Sequence, residues 1–241
     1  MQRLLVGLVI ACLMTSSVWA EPCPVAAGVT LAGAPADPLR LAFLRENLQR
    51  EEANARFWSQ GWLIGYSALM LGQLAISPLV PKEARVDYYV GAASTVAGFL
   101  PLTVTRLPIL RNGSDFQVQA AKAVTPADTC AAIASGETLL LATSDAEALG
   151  RSVPMHILSA LYNIGVGLVL GLAFDRWASG IRTAIIGIGI GEAMVWTQPH
   201  GSIDDLHRYQ AGDLGASTVL SFHLAPLEAP GATGLVLAGT F

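Results

Sequence analysis

The stretch Gly167–Met194, GLVLGLAFDRWASGIRTAIIGIGIGEAM, decides the fold class, because a short polar turn joins two apolar, glycine-rich runs within it. Asp175 and Arg176 lie in the turn, and the second run ends beside a lone carboxylate, Glu192. Apolar runs of about 20 residues are long enough to cross the core of a bilayer as helices. The stretch therefore predicts a helical hairpin in a membrane, and it raises the question of what holds Glu192 there.

The rest of the chain is similarly apolar. Charged residues make up 13% of its 241 residues, about half the usual share of a soluble domain, and the mean hydropathy is +0.51. Asp, Glu, Lys and Arg are absent from 57–81, 88–105 and 152–174, and Glu192 is the one such residue in 183–203. We therefore predict an all-α integral membrane protein with four transmembrane helices, arranged as two helical hairpins.

The first twenty residues are typical of a signal peptide. Arg3 precedes an apolar run from Leu4 to Leu13, and Val18-Trp19-Ala20 offers a cleavage site after Ala20. Cleavage there predicts export to the bacterial cell envelope, with the inner membrane favoured and the outer membrane as the alternative. A second interpretation starts from Val9-Ile10-Ala11-Cys12, which is typical of a lipoprotein signal and would make Cys12 an acylated N-terminus.

Cleavage after Ala20 leaves two cysteines, Cys23 and Cys130. Two membrane crossings between them return the chain to the side on which it started. Both cysteines then lie in the oxidising compartment, where disulfides persist. The sequence therefore predicts a Cys23–Cys130 disulfide bond, with two buried thiols as the alternative.

Two positions have the signals of a helix start. Asp37 followed by Pro38 predicts an N-cap and a first helical residue, and the amphipathic helix that follows runs into the first membrane helix near residue 57. Thr125 and Pro126 repeat the pattern, with Asp128 in the first turn, and predict a helix to about residue 149.

These predictions divide the chain into six segments. They are a signal peptide (1–20), an extracytoplasmic segment with an amphipathic helix (21–56), a first transmembrane hairpin (57–110), an extracytoplasmic helical segment (111–153), a second transmembrane hairpin (154–198) and an extracytoplasmic C-terminal tail (199–241). The tail is predicted to contain a β-hairpin, because apolar residues alternate on both sides of Pro230-Gly231.

The second hairpin has a row of small residues on each helix. Gly167 and Gly171 form one Gly-x-x-x-Gly motif and Gly187 and Gly191 the other, a spacing that permits close approach of helices in lipid. With a turn over 175–179, antiparallel pairing places Gly167 opposite Gly187. Asn163 then lies opposite Gly191.

This register places Glu192 beside Asn163, so we predict a hydrogen-bonded clasp between the two side chains. Ionisable residues inside a membrane are also candidates for function. Glu192, Asn163 and Gln73, the buried amide of the first hairpin, are therefore the candidate ligand or relay residues.

An outer-membrane β-barrel is the alternative fold. Large and small residues alternate over 165–174 and 186–191, as in a lipid-facing strand. Leu235, Leu237, Gly239 and Phe241 end the chain in a pattern that resembles the terminal signal of bacterial outer-membrane barrels. The apolar runs, however, lack the polar side chains that would face a barrel lumen, and this favours helices.

No catalytic motif is present: G-x-S-x-G, H-E-x-x-H and the P-loop pattern do not occur. His200, Asp204 and His207 are a weak candidate metal group, since Ser202-x-x-Asp205 between them is typical of a capping box.

We therefore expect a non-enzymatic protein without a cofactor or bound metal, in a structural or partner-subunit role. The alternative is a small transporter or channel component. With a net charge of −4 and no basic cluster, the expected partners are membrane lipid, other envelope proteins or a second copy of the chain, and not nucleic acid.

Overall fold

The structure, a computed structural model, describes residues 21–104, 106–215, 221–229 and 232–240. The predicted signal peptide and the lipoprotein alternative at Cys12 lie outside these residues. The helices in the described ranges are α1 (Asp37–Ile76), α2 (Arg85–Thr103), α3 (Pro108–Lys122), α4 (Pro126–Gly150), α5 (Val153–Phe174), α6 (Trp177–Trp196) and α7 (Gly201–Gln210). Two single turns of 3-10 helix, Ser77–Leu79 and Lys82–Ala84, lie between α1 and α2.

The longest element, α1, is one continuous helix of 40 residues, which corresponds to about 60 Å. Its first half buries Phe43, Leu44 and Leu48 in a compact core, whereas its second half exposes apolar side chains such as Ile64 and Leu71. The two halves of α1 therefore belong to two different parts of the molecule.

The first part, called the head, consists of residues 21–36, α1 up to Arg56, α3, α4 and α7. Its core is a single apolar cluster contributed by all of these segments. The helix α3 is absent from the sequence prediction, although its buried residues recur at the three- and four-residue spacing of an amphipathic helix. These residues are Ile109, Gly113, Phe116 and Ala120.

The second part, called the apolar bundle, consists of α1 from Phe57 onward, α2, α5 and α6. Helices α1, α5 and α6 are long and apolar enough to cross a membrane. The helix α2 is less apolar, since Arg85 and Asp87 lie in its first turn. The expectation of four membrane helices is thus supported for three of the described helices.

The β-barrel alternative is wrong, because residues 165–174 lie within α5 and residues 186–191 within α6. Strands are found nearer the C-terminus, in the segment for which the sequence predicts a β-hairpin. There β1 (Ser221–Ala229) pairs antiparallel with β2 (Ala232–Thr240), with Ala229 opposite Ala232. The predicted turn at Pro230-Gly231 lies between the strands and outside the described residues.

Two predicted helix starts have different outcomes. The capping box at α4 is confirmed, because the Thr125 hydroxyl accepts the N–H of Asp128 while the Asp128 carboxylate accepts the N–H of Thr125. The predicted N-cap at Asp37 is wrong, since Ala36 occupies the cap position. The Asp37 carboxylate instead accepts the N–H of Cys23 and a hydrogen bond from Arg40, two partners that no local pattern shows.

Candidate functional site

Cys23 and Cys130 form the predicted disulfide bond, which ties the segment before α1 to the start of α4. The two sulfurs and the Asp37 carboxylate lie close enough together to suggest a metal site. Sulfur binds a metal as a thiolate, however, and these two sulfurs are bonded to each other. The group is therefore a covalent link within the head.

A buried charge network lies beside the disulfide. Arg40 and Glu137 are both buried, and Arg40 Nη2 donates to Glu137 Oε1 over 2.6 Å. The Tyr209 hydroxyl donates to the same oxygen and accepts a hydrogen bond from Arg40 Nε. The second Glu137 oxygen accepts the N–H of Ala26, and Arg40 Nη1 donates to the carbonyl of Cys23. Because these buried groups are hydrogen-bonded, the network connects α1, α4, α7 and the N-terminal segment.

A second group of carboxylates lies at the base of the head. Glu51 is 2% exposed, and Glu147 and Ser202 are 0% exposed. Among the described residues, Glu51 Oε2, Glu147 Oε1 and Ser202 Oγ have no hydrogen-bond partner. The other oxygen of Glu147 accepts the N–H of Ser202 over 3.0 Å. Burial and the neighbouring Glu51 charge raise the pKa of the Glu147 carboxyl to about 7.

The cation beside this group, Arg50, is shared between two carboxylates and lies closer to Asp205. Arg50 Nη2 lies 2.7 Å from Asp205 Oδ2, whereas Arg50 Nε is 3.4 Å from Glu51 Oε1. The Glu51 carboxylate also lies against the backbone of Gly201, where an added Cβ would be 2.2 Å from Oε1. A side chain at position 201 would therefore displace the Glu51 carboxylate from its place against α7.

In the apolar bundle, Glu192 is paired with His156 and not with Asn163. His156 Nδ1 lies 2.6 Å from Glu192 Oε2, and the Trp196 ring packs against the His156 ring at 5.5 Å. The predicted clasp is thus wrong: the Asn163 amide donates instead to the backbone carbonyl of Ser159. The sequence prediction gave His156 no role, although it is the one residue among 152–174 whose side chain can carry a positive charge.

The cause of this difference is the length of the turn. The sequence predicts a turn over 175–179, but α5 ends at Phe174 and α6 begins at Trp177, so that Asp175 and Arg176 alone connect them. Asp175 adopts a φ of 55°, a left-handed conformation that aspartate tolerates better than most residues. With this shorter turn, the pairing of α5 and α6 differs from the predicted one by about one to two helical turns.

The glycine rows do face the partner helix, in this shifted register. A Cβ added at Gly167 would lie 2.6 Å from the carbonyl oxygen of Gly180, not beside Gly187 as predicted. Gly187 instead packs against the Asn163 side chain. Two further contacts complete the interface, Gly171 against the Trp177 ring and Gly191 against the Ser159 hydroxyl.

We expect Gly187→Leu to lower the free energy of unfolding by about 1–3 kcal/mol, the usual cost of overpacking. Its added Cβ would lie 2.0 Å from Asn163 Oδ1. Gly189→Leu is the matched control, because nothing lies within 4 Å of a Cβ added there. The measurement is thermal unfolding of both variants in detergent, and equal losses would contradict the packing of α5 on α6.

Gln73 takes part in the contact between α1 and α2. A Cβ added at Gly91 would meet the Gln73 side chain, and Gln73 Nε2 donates to the carbonyl of Leu69. The Tyr66 hydroxyl donates to Met194 Sδ, so Tyr66 marks the level of Met194, just after Glu192, along α1. Gln73 lies seven residues further on, about 10 Å along the helix. The structure therefore does not bring Gln73 and Glu192 into one site.

The end of the bundle away from the head has a contact that the sequence prediction missed. Both Asp87 oxygens accept hydrogen bonds from Arg176, over 2.5 and 2.6 Å, and Asp87 Oδ2 also accepts one from Ser179. The turn after α5 is thereby attached to the first turn of α2. The sequence contained an indication of this contact, because the predicted turns at 82–87 and 175–179 each contain both an acidic and a basic residue.

The weak metal candidates His200, Asp204 and His207 are all exposed. Their ligand atoms do not form a metal-ligating group in the part of the chain that the structure describes. The predicted capping box Ser202-x-x-Asp205 is also wrong. Because α7 begins at Gly201, Ser202 lies inside the first turn, and Asp205 binds Arg50.

Comparison of the chain with protein-family models, with curated proteins and with solved structures finds no match. The function must therefore be inferred from the chemistry of the molecule itself. Two groups are the candidates for a functional site: the His156–Glu192 pair in the apolar bundle, and the Glu51–Glu147–Ser202 group at the base of the head.

Proposed function

We propose that the protein is a non-enzymatic integral membrane protein of the bacterial cell envelope, with a structural or partner-subunit role. In this proposal the apolar bundle crosses the membrane and the head lies on the side to which a signal peptide exports it. Membrane lipid surrounds the bundle, and the head contacts other envelope proteins or a second copy of the chain.

The observation that carries this proposal is the continuity of α1. The same helix contributes Phe43 and Leu44 to the head core and exposes Ile64 and Leu71 from the bundle. Trp58 and Trp62, at the start of the second half, donate hydrogen bonds to α6 and to Thr197 just after it. A head attached in this way is held at a fixed orientation to the membrane, as a structural subunit requires.

The hydroxyl groups of the bundle also support a structural role. Ser67, Ser94 and Thr95 each donate to a carbonyl three or four residues earlier in their own helix. Side chains satisfied in this way are compatible with lipid and supply no donors to a transported solute.

The proposal includes α2 as the fourth membrane helix. The charge on Asp87 is paired with Arg176, and residues 88–104 beyond it contain no charged residue. A helix of about 17 residues lies at the short end of the range that spans a bilayer core.

Cysteine labelling tests the topology. We expect Ser114→Cys to react with a membrane-impermeant thiol reagent on intact spheroplasts, and Lys82→Cys to react only after the membrane is permeabilised. Both positions are exposed in the structure, and the native cysteines are bonded to each other. Labelling of both variants in intact cells would place the two positions on one side and refute the topology.

The His156–Glu192 pair favours a second candidate, a small transporter or channel component in which Glu192 binds a proton or cation. Two facing ionisable groups inside a membrane protein often belong to such a pathway. In this structure Asn163 packs against Gly187 and Gln73 packs against Gly91, so the candidate rests on His156 and Glu192. Proton or cation flux into liposomes containing the purified protein separates this candidate from the first.

A further inference from the structure

We propose that Glu51 and Glu147 hold one proton between them, which makes the base of the head a proton-binding site. The site lies at the joint, defined here as residues 150–152 between α4 and α5 together with residues 197–200 between α6 and α7. Glu51 comes from α1, Glu147 from the last turn of α4, and Ser202 from the first turn of α7.

Both carboxylates contact the same piece of backbone. Ser202 N–H donates to Glu147 Oε2 over 3.0 Å, and a Cβ added at Gly201 would lie 2.8 Å from Glu51 Oε2. The remaining Glu147 oxygen and Glu51 Oε2 are buried and have no partner among the described residues. A proton on Glu147 Oε1 supplies a second donor, beside the Ser202 hydroxyl, to a group that contains two free carboxylate oxygens.

A proton explains these free oxygens better than a metal ion does. Two buried like charges cannot readily both ionise, and carboxyl pairs relieve this by retaining one proton. A metal ion would need several converging ligand atoms. The carboxylates of Glu51, Glu147 and Asp205 do not form such a group in the described part of the chain.

The charged groups around the pair come from α1 and α7. Arg50 of α1 binds Asp205 of α7, and Arg208 of α7 lies 3.8 Å from the same carboxylate. These two cations therefore balance Asp205 and, through Arg50, part of the charge on Glu51. The additional charge created when Glu147 ionises faces Glu51, and we expect it to loosen the contact of α4 and α7 with α1.

This predicts the direction of the pH dependence. The pKa of Glu147 is raised from 4.5 to about 7 in the folded protein, so the folded state retains a proton that the unfolded state has lost. The contribution of Glu147 to the free energy of unfolding therefore falls as pH rises from about 4.5 to about 7 and levels off above that. This proposal is independent of the envelope role, since a proton can bind at the joint whichever partner the head contacts.

Thermal unfolding of the full chain in detergent, from about pH 5 to about pH 8.5, tests the proposal. We expect the wild-type melting temperature to fall by about 5 °C or more over this range. Glu147→Gln retains the hydrogen-bonding capacity of the protonated acid without its titration, so its melting temperature should change much less. Glu46→Gln, an exposed position on α1, is the control and should behave like the wild type.

Infrared difference spectroscopy of the wild type gives a second readout that does not depend on how the variant folds. We expect a carbonyl band from a protonated carboxylic acid to persist at pH 6, where exposed carboxyls are ionised. Absence of that band would overturn the proposal, as would a Glu147→Gln variant with the wild-type pH dependence. Stabilisation of the wild type alone by calcium on the order of 1 mM would instead assign the site to a metal ion and also overturn it.

Discussion

Replacing Arg40 with alanine is expected to lower the free energy of unfolding by about 3–5 kcal/mol, the cost of removing one partner from a buried ion pair. The substitution leaves the Glu137 carboxylate without its cation in a position that is 0% exposed. It also removes the donor to the Tyr209 hydroxyl and to the carbonyl of Cys23. The loss of stability arises mainly from the unpaired negative charge of Glu137, because a buried carboxylate without a cation is poorly solvated.

The measurement is denaturant unfolding in detergent, followed by circular dichroism. Arg45→Ala is the matched control, since Arg45 lies on the same helix with an exposed side chain, and we expect it to change stability by less than about 0.5 kcal/mol. The double variant Arg40→Met/Glu137→Leu should recover most of the loss, because it removes both charges together. A single variant as stable as the Arg45 control would show that the ion pair does not hold the head together.

The helices of the apolar bundle could be predicted from the sequence, because their signal is local. An uninterrupted apolar run over 153–174 has one low-energy conformation in lipid, in which every backbone group is bonded within the segment. The capping box at Thr125 is local in the same way, since both of its hydrogen bonds join residues three apart. Such features follow from residues that are close together in the chain.

The contacts between helices could not be predicted as well. The pairing of α5 with α6 depends on the number of residues in one turn. The predicted partner of Glu192, Asn163, lies about two helical turns from the observed partner, His156. The Arg40–Glu137 contact joins residues 97 positions apart, and no pattern near either residue indicates the other. The burial of Glu147 could not be predicted either. In the sequence it is an ordinary residue near the end of a helix, and its burial results from the packing of α1 and α7 against it.

The disulfide bond could be predicted for a different reason, although its two cysteines lie far apart in the sequence. The prediction assumed cleavage after Ala20, which leaves two cysteines and one intramolecular pairing, and it assumed a topology that places both cysteines on one side of the membrane. Loss of the Cys23–Cys130 disulfide bond is the second large effect that we expect. Cys130→Ser should lower the free energy of unfolding by about 4–5 kcal/mol in the chain-entropy account, because the bond closes a loop between residues separated by 107 positions.

Unfolding of Cys130→Ser in detergent, compared with the wild type with and without reductant, measures this loss. Reduced wild type should match the variant. Without reductant, the mature wild-type protein should take up no thiol label before denaturation and none after it. Uptake of two labels per chain without reductant would show that the bond is not formed.

The disulfide and the Arg40 network should also be coupled. Cys23 contributes one end of the disulfide, its carbonyl accepts from Arg40, and its N–H donates to Asp37. Cys130→Ser frees the N-terminal segment, and we therefore expect the hydrogen bond from Arg40 to the carbonyl of Cys23 to weaken as well. In a double-mutant cycle, Arg40→Ala should cost at least about 0.5 kcal/mol less in the Cys130→Ser background than in the wild type. Additive losses would mean that the network is positioned by α1, α4 and α7 alone, and that the disulfide acts purely on the unfolded chain.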